Sequence, residues 1–222
     1  MKLALFDLDG TLLPNDSDHA FGEFIVGLGW ASAAEHRLRN DAFFRDYEAG
    51  TLDIQAYVEF ATAPWRARSP HELAHVMQRF LAEVVQPVLH PSALALVERH
   101  RRAGDCLAVV TATNDFVTRP IARLFGISDL IATDLARDAE GRVTGAIAGM
   151  AAFREGKVAR VRAWLAARGW NLSDFEASTF YSDSTNDLPL LEQVSHPVAT
   201  NPGPALARVA RERGWPILEL FT

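Results

Sequence analysis

Leu3-Ala4-Leu5-Phe6-Asp7-Leu8-Asp9-Gly10-Thr11-Leu12 is the stretch whose reading decides the fold. A brief apolar run ends in two carboxylates separated by one leucine, and a Gly-Thr turn follows. A run this short and apolar, closed by a turn signal, predicts a buried strand. If strand periodicity holds to its end, Asp7 and Asp9 face one side and Leu8 faces the core. Adjacent carboxylates repel, and each raises the other's pKa. A cation between them relieves the repulsion. Hard oxygen ligands suit Mg²⁺, which takes few carboxylates and keeps water and substrate phosphate as its other ligands. The stretch therefore reads as a metal-assisted phosphate site, or more plainly as an acidic turn after a strand.

Composition narrows the setting. The chain has 222 residues, 49% hydrophobic and 23% charged, enough for a packed core and against disorder. Its 28 acidic and 22 basic residues give a net charge of −6, which argues against a nucleic-acid partner. The single cysteine, Cys106, has no internal disulfide partner and lies in an apolar run, as expected for a buried residue in a reducing compartment. No apolar stretch has the length of a membrane span, so no membrane partner is expected. The first apolar run meets Asp7 at once, unlike a secretory leader. Together these predict a cytoplasmic protein.

Beyond Thr11 the pattern turns helical. Phe21, Phe24, Ile25 and Leu28 recur at helical spacing, with Gly29 as a stop. Phe43, Phe44 and Tyr47 mark a second helix closed by Gly50, and Asp53 is placed to cap a third. Ser69-Pro70-His71-Glu72 opens a fourth. From Pro91 onward, strands and helices alternate: Cys106–Val110, Leu130–Thr133, Ser178–Tyr181 and Pro197–Thr200 read as strands, with a hairpin turned at Glu140-Gly141. This predicts an α/β fold, a doubly wound parallel sheet with helices on both faces. Residues 1–15 and 87–222 would form the core, and residues 16–86 an inserted α-helical cap domain.

In such sheets ligands bind beyond the carboxyl ends of the strands. Three groups fall there. Besides Asp7 and Asp9, Thr111-Ala112-Thr113 follows one strand and precedes a helix, where a hydroxyl and free N–H groups make an anion site. Asp183-Ser184-Thr185-Asn186-Asp187 follows another. Asp183 would extend the metal site, Asp187 would ligate or hold a metal-bound water, and Asn186 would donate to a phosphate oxygen. Lys157, opening a helix after Gly156, could neutralise a phosphate.

These motifs, in this order and spacing across nearly the whole chain, resemble the haloacid-dehalogenase-like (HAD) hydrolases, whose core is Rossmann-like. The inserted helices resemble the cap of the phosphoserine-phosphatase branch (subfamily IB). Tyr181 to Leu191 resembles a bacterial sub-branch that includes histidinol-phosphate phosphatases. The resemblance implies a Mg²⁺-dependent phosphomonoester hydrolase. Asp7 would be the nucleophile, forming an aspartyl-phosphate, and Asp9 the acid and base. Asp7, the Asp9 backbone carbonyl and Asp183 would hold Mg²⁺, with Asp187 beside them. Thr111, Ala112, Lys157 and Asn186 would hold phosphate. Asp9 also separates phosphoryl transfer from halide displacement, since family members that act on carbon–halogen bonds lack it. The substrate would be a small phosphorylated metabolite. In this branch an acidic residue after the first motif binds the substrate amine, and Asp16 stands there. A cap arginine binds the substrate carboxylate, for which Arg45, Arg66 and Arg68 are candidates. Histidinol phosphate would need Asp16 and no such arginine, whereas phosphoserine would need both.

Three other readings compete. His71-Glu72-Leu73-Ala74-His75 matches the H-E-x-x-H pattern of zinc peptidases, but Ser69 with Glu72 also spells a capping box with Pro70 at the first helical position. A phosphotransferase or phosphomutase could use the same core. A non-catalytic phosphometabolite-binding protein would have no need of Asp9.

Overall fold

The computed structural model describes residues 1–221. After strand β1 (Leu3–Phe6) come four helices: α1 (Ser17–Gly27), α2 (Ala33–Ala49), α3 (Ile54–Thr62) and α4 (Pro70–Phe80). A π-helical turn at Leu81–Val85 and a 3₁₀ turn at Gln86–Val88 lead to α5 (Pro91–Arg102). The remainder alternates: β2 (Cys106–Asn114), α6 (Asp115–Leu124), β3 (Asp129–Thr133), the hairpin β4 (Leu135–Arg137) and β5 (Val143–Ile147), and α7 (Glu155–Ala166). Then follow β6 (Ser178–Ser182), α8 (Leu188–Leu191), β7 (His196–Thr200), α9 (Pro204–Arg213) and β8 (Ile217–Leu218).

Six strands form one sheet in the order β3-β2-β1-β6-β7-β8, every pair parallel. The chain winds outward from β1 in one direction through β2 and β3, then returns to the other side of β1 and continues through β6. The order therefore reverses at β1, where open α/β sheets form their ligand crevice. Register sharpens this placement. Phe6 lies opposite Val109 of β2 and Tyr181 of β6, so Asp7, Thr111 and Asp183 leave neighbouring strands at nearly the same level.

Side-chain alternation along β1 feeds two cores. Ala4, Phe6 and Leu8 belong to an apolar cluster with Phe21 and Ile25 of α1, Val76, Met77 and Phe80 of α4, and Leu96 and Val97 of α5. Leu3 and Leu5 belong to a second cluster with Val161 and Leu165 of α7 and Leu206 and Ala210 of α9. The first cluster passes without a break from the sheet into α1 and α4, so the inserted helices share their core with the sheet. The bent run Pro70–Arg102 is apolar enough to suggest a membrane segment by composition, but Val76, Met77, Phe80, Val85, Leu96 and Val97 are buried in this cluster. No single helix among the described residues is long and apolar enough to cross a membrane.

The helix punctuation follows the residue types. Asp53 accepts from the N–H groups of Gln55 and Ala56, and Gly50 and Gly214 end α2 and α9 in the left-handed conformation. The Ser69–Glu72 capping box is formed in both directions, with Pro70 at the start of α4. Two features differ from expectation. Strand β2 runs past Thr111 to Asn114, because Asn114 and not Thr111 caps α6, accepting from Val117 N at 3.1 Å. The two-residue β8 carries too few residues to give a pattern, and it forms only by pairing with β7.

Gly156, in the first turn of α7, decides how closely that helix approaches the preceding loop. A Cβ there would lie 2.1 Å from the Ala151 carbonyl oxygen, a backbone atom. Helix propensity favours Ala over Gly by about 1 kcal/mol, but the clash has the opposite sign and is larger. Gly156→Ala is expected to lower the unfolding free energy by about 1–3 kcal/mol, read as a reduced urea midpoint at unchanged slope. A variant as stable as the parent, or more so, would show that α7 is free to shift.

Candidate active site

The carboxyl ends of β1, β2 and β6 open into a cavity of about 460 Å³, whose opposite wall is formed by α1, α2 and α3. Asp7, Asp9, Asp16 and Asp183 line it, with Thr111, Ala112 and Thr113 on the β2 side. No Arg or Lys is among the described residues that line it.

Asp7 follows Leu5 on the face of β1 that packs toward α7, and α7 supplies its partner. Lys157 is 1% exposed. Its ammonium donates to Asp7 Oδ1 at 2.9 Å and to Asp187 at 2.7 Å. Burial alone would lower the Lys157 pKa, but Asp187 and Asp7 together outweigh it and hold the ammonium above its ordinary value. Burial raises Asp7 and Lys157 pulls it back. Asp187 and Asp9 push it up again, leaving it at about 7. Asp187 also accepts from the Ser182 hydroxyl at 2.8 Å.

Asp183 lies over the turn after β1. Thr11 Oγ1 donates to Asp183 Oδ1 at 3.0 Å, and a Cβ on Gly10 would stand 2.4 Å from Asp183 Oδ2. Gly10, with φ +74°, is thus required both for the turn and for the closeness of Asp183 to the first acidic pair. Burial raises the Asp183 carboxyl well above its ordinary range, and the charges of Asp7 and Asp187 add to that. Asp9 is held at both oxygens, by the N–H of Ser17 at 2.8 Å and the Thr113 hydroxyl at 2.9 Å. Burial and then Asp16 raise it to about 7 against the pull of Ser17 and Thr113.

The donor set suits a divalent cation. One ammonium faces four carboxylates, those of Asp7, Asp9, Asp183 and Asp187, and burial raises three of them. Among the described residues no three His, Cys, Asp or Glu side chains stand together as a metal cage.

Several expected groups are placed differently. The side-chain amide of Asn186 donates to the backbone carbonyl of Tyr47 in α2, at 2.9 Å, so it ties the helical wall to the sheet. Lys157 is bound to carboxylates and does not line the cavity. The arginine candidates are corrected: Arg45 is exposed, Arg66 packs over Gly145 of β5, and Arg68 lies over the Trp30 ring at 4.4 Å. None lines the cavity. The H-E-x-x-H run makes no metal centre, because His71 and His75 are exposed and Glu72 is engaged with Ser69 in the cap of α4. Asp16 does line the cavity. It caps α1 by accepting from His19 N at 2.8 Å, and burial raises its carboxyl.

Two residues of the wall were not singled out from sequence. His19, three residues after Asp16, meets Asn40 of α2, with Nδ1 and Nδ2 2.9 Å apart, and both line the cavity. A polar Asn in the middle of a helix is the available signal for a buried contact. Phe43, Phe44, Tyr47 and Tyr57 complete this side.

A family model described as haloacid dehalogenase-like hydrolase matches residues 4–192. The chain belongs to this family. It is 45% identical over 217 residues to a Neisseria meningitidis serogroup C (strain 8013) protein named histidinol-phosphatase, covering 98% of each chain. A solved Bordetella pertussis Tohama I protein of unknown function is 50% identical over 99% of both chains, with a TM-score of 0.93. The fold is also that of a substrate-bound phosphoserine phosphatase, at TM-score 0.68 and 17% identity, covering 98% of this chain and 92% of that one.

Behind the HAD site sits a further buried carboxyl. Asp18 accepts from Asn114 Nδ2 at 3.0 Å and from the Tyr57 hydroxyl, and burial with Asp16 nearby raises it from 3.8 to about 7. A raised carboxyl binds its proton more tightly folded than unfolded, so it opposes folding fully above about pH 7. That penalty fades as pH falls toward 4. Asp18→Asn keeps the shape and removes the charge. It is expected to be more stable than the parent by about 2 kcal/mol at pH 8 and equal to it near pH 4, as measured by denaturant unfolding. An equal gain at both pH values would show that the charge of Asp18 is not the cause.

Proposed function

We propose that this HAD phosphatase hydrolyses a small phosphomonoester that carries a cationic amine and no carboxylate, with histidinol phosphate preferred to phosphoserine. One observation carries the choice: the cavity has four carboxylates on its walls and, among the described residues, no Arg or Lys. A substrate carboxylate would be desolvated there without a partner, which costs several kcal/mol. An ammonium would meet Asp16. The kinship with a protein named histidinol-phosphatase supports the same reading.

Asp7 attacks phosphorus through a carboxylate oxygen, forming the aspartyl-phosphate as the ester P–O bond breaks. Asp9 delivers its proton to the departing oxygen, then takes one from the water that attacks the phosphorus and frees Asp7. Lys157 favours the ionised form of Asp7 and aims it. Thr111 and the N–H groups beside Ala112, at the end of β2 just before α6, receive the phosphoryl oxygens. Asp7, Asp183 and the Asp9 carbonyl would hold Mg²⁺, which offsets the charge gathered as nucleophile and phosphate meet. Asp187 serves that site through Lys157. Residues 16–86 act as a cap that excludes water from the first transfer. The cytoplasm is the compartment that fits one unpaired cysteine.

Phosphate release from 4-nitrophenyl phosphate should be abolished by chelation and restored by Mg²⁺. Asp7→Asn should stay at least about 10³-fold below the parent with Mg²⁺ restored, and a variant retaining activity would move the nucleophile elsewhere. Between physiological candidates, kcat/KM for histidinol phosphate should exceed that for phosphoserine by about 10²-fold or more. Equal turnover of the two would overturn the amine-without-carboxylate assignment.

A further inference from the structure

The Thr113 hydroxyl has no structural duty that accounts for it. Asn114, and not Thr113, caps α6, and the neighbouring Ala112 carbonyl is taken by the hydroxyl of Thr133 at 2.7 Å. Instead Thr113 Oγ1 donates to Asp9 Oδ2 at 2.9 Å, across 104 residues of sequence. Its backbone N–H donates to Thr111 Oγ1 at 3.2 Å. Thr113 therefore spans the distance between the group assigned to phosphate and the group assigned to the leaving oxygen. Asp9 Oδ1 is fixed separately by Ser17 N, the first N–H of α1. A carboxyl pinned at one oxygen still swings about its Cβ–Cγ bond, whereas one pinned at both does not.

We propose that Thr113 is the positioning residue for Asp9, its hydroxyl holding the carboxyl in the orientation from which it protonates the leaving oxygen. The inference rests on Asp9 being the acid of the proposed phosphatase reaction. Ser17 occupies Oδ1, so the transferable proton belongs on Oδ2. Thr113 takes one lone pair of Oδ2 and leaves the other to carry that proton. In the step itself the Asp7 oxygen–phosphorus bond forms and the ester oxygen–phosphorus bond breaks. The Oδ2 proton passes to the departing oxygen, and the resulting carboxylate accepts the Thr113 hydroxyl. No co-reactant is needed.

The test compares phenyl phosphate with 4-nitrophenyl phosphate, esters of nearly equal shape whose leaving groups differ in their need for a proton. The parameter is kcat/KM, which excludes the later hydrolysis of the phosphoenzyme. Thr113→Val is expected to lower kcat/KM about 10–100-fold for phenyl phosphate and less than about 3-fold for 4-nitrophenyl phosphate. Thr113→Ser should restore the phenyl phosphate rate to within a few-fold, and Thr113→Ala stands in if the valine variant does not fold. Asp9→Asn separates the two levels of the argument. Parent activity with selective loss of phenyl phosphate turnover in Asp9→Asn establishes the acid; its absence overturns both levels. Given that acid, a Thr113→Val that slows both esters equally, or neither, overturns the positioning role alone.

Discussion

The Lys157 ammonium, buried between Asp7 and Asp187, is the contact on which the rest of the structure depends. Three charged groups are withdrawn from water there, and each carries a desolvation cost of several kcal/mol. The arrangement persists because the ammonium touches both carboxylates and the Ser182 hydroxyl also donates to Asp187 Oδ2. Removing either partner would leave a buried charge uncompensated, which typically costs about 3–5 kcal/mol. Such a cluster is a poor means of stabilising a fold but an effective way of holding a carboxylate oxygen in one place. It also leaves the site with more acid than base, a surplus that the proposed Mg²⁺ would offset.

Sheet order converts this local chemistry into a site. Strand β1 is central, and its two neighbours, β2 and β6, are reached by chain that departs from it in opposite directions. Parallel register brings their carboxyl ends level, so residues separated by more than a hundred positions meet without any loop having to reach. The alternation along β1 then assigns faces. Phe6 and Leu8 join the apolar core beneath the inserted helices, while Asp7 looks toward α7 and its lysine. A one-residue slip of β1 would exchange these faces, burying Asp7 among Phe21 and Phe80 and aiming Phe6 at Lys157.

How far the sequence discloses all this depends on the range of the interaction concerned. The end of β1, the glycine stops at Gly29 and Gly50 and the Ser69–Glu72 box are set within a few residues, and they were legible. So was the meeting of Asp7, Asp9, Thr111 and Asp183 at one cavity, because a parallel sheet gives strand ends a common destination. What Lys157 and Asn186 touch was not legible. Both side chains are long or polar enough for phosphate, but their partners, Asp187 and the Tyr47 carbonyl, are fixed only by how α7 and α2 dock. The wall opposite the sheet was the least legible part. Arg45, Arg66 and Arg68 have the right charge and the wrong direction, whereas His19 and Asn40 face the cavity. The rotation of a helix about its axis is set by the neighbour it packs on. In α2 the apolar residues Leu38, Phe43 and Phe44 do not mark one buried face, since Leu38 and Phe44 are exposed.

The inserted helices are held by two unlike kinds of contact. At α1 and α4 the bond to the sheet is apolar: Phe21, Ile25, Met77 and Phe80 are buried with Phe6 and Leu8, and exposing them would cost about 1.5–3 kcal/mol per side chain. At α2 and α3 it is mainly polar, Val58 of α3 alone joining the same apolar cluster. Asn186 donates to the Tyr47 carbonyl, Arg154 donates to the Gly50 carbonyl at 2.9 Å, and the Gln55 amide pairs with Gly145 O and Ile147 N of β5, both at 3.2 Å. Water can replace each of these partners, so their net worth is about 1 kcal/mol apiece. The same α2 and α3 carry Asn40, Phe43, Tyr47 and Tyr57, the wall of the cavity. Rigidity is thus concentrated where the acids are assembled. The wall of α2 and α3 is joined to the sheet through fewer apolar side chains than α1 and α4 are. Two of its tethers, Asn186 and Arg154, lie within a few residues of Asp187 and Lys157, so the ion cluster and the near edge of that wall are held by the same segments of chain.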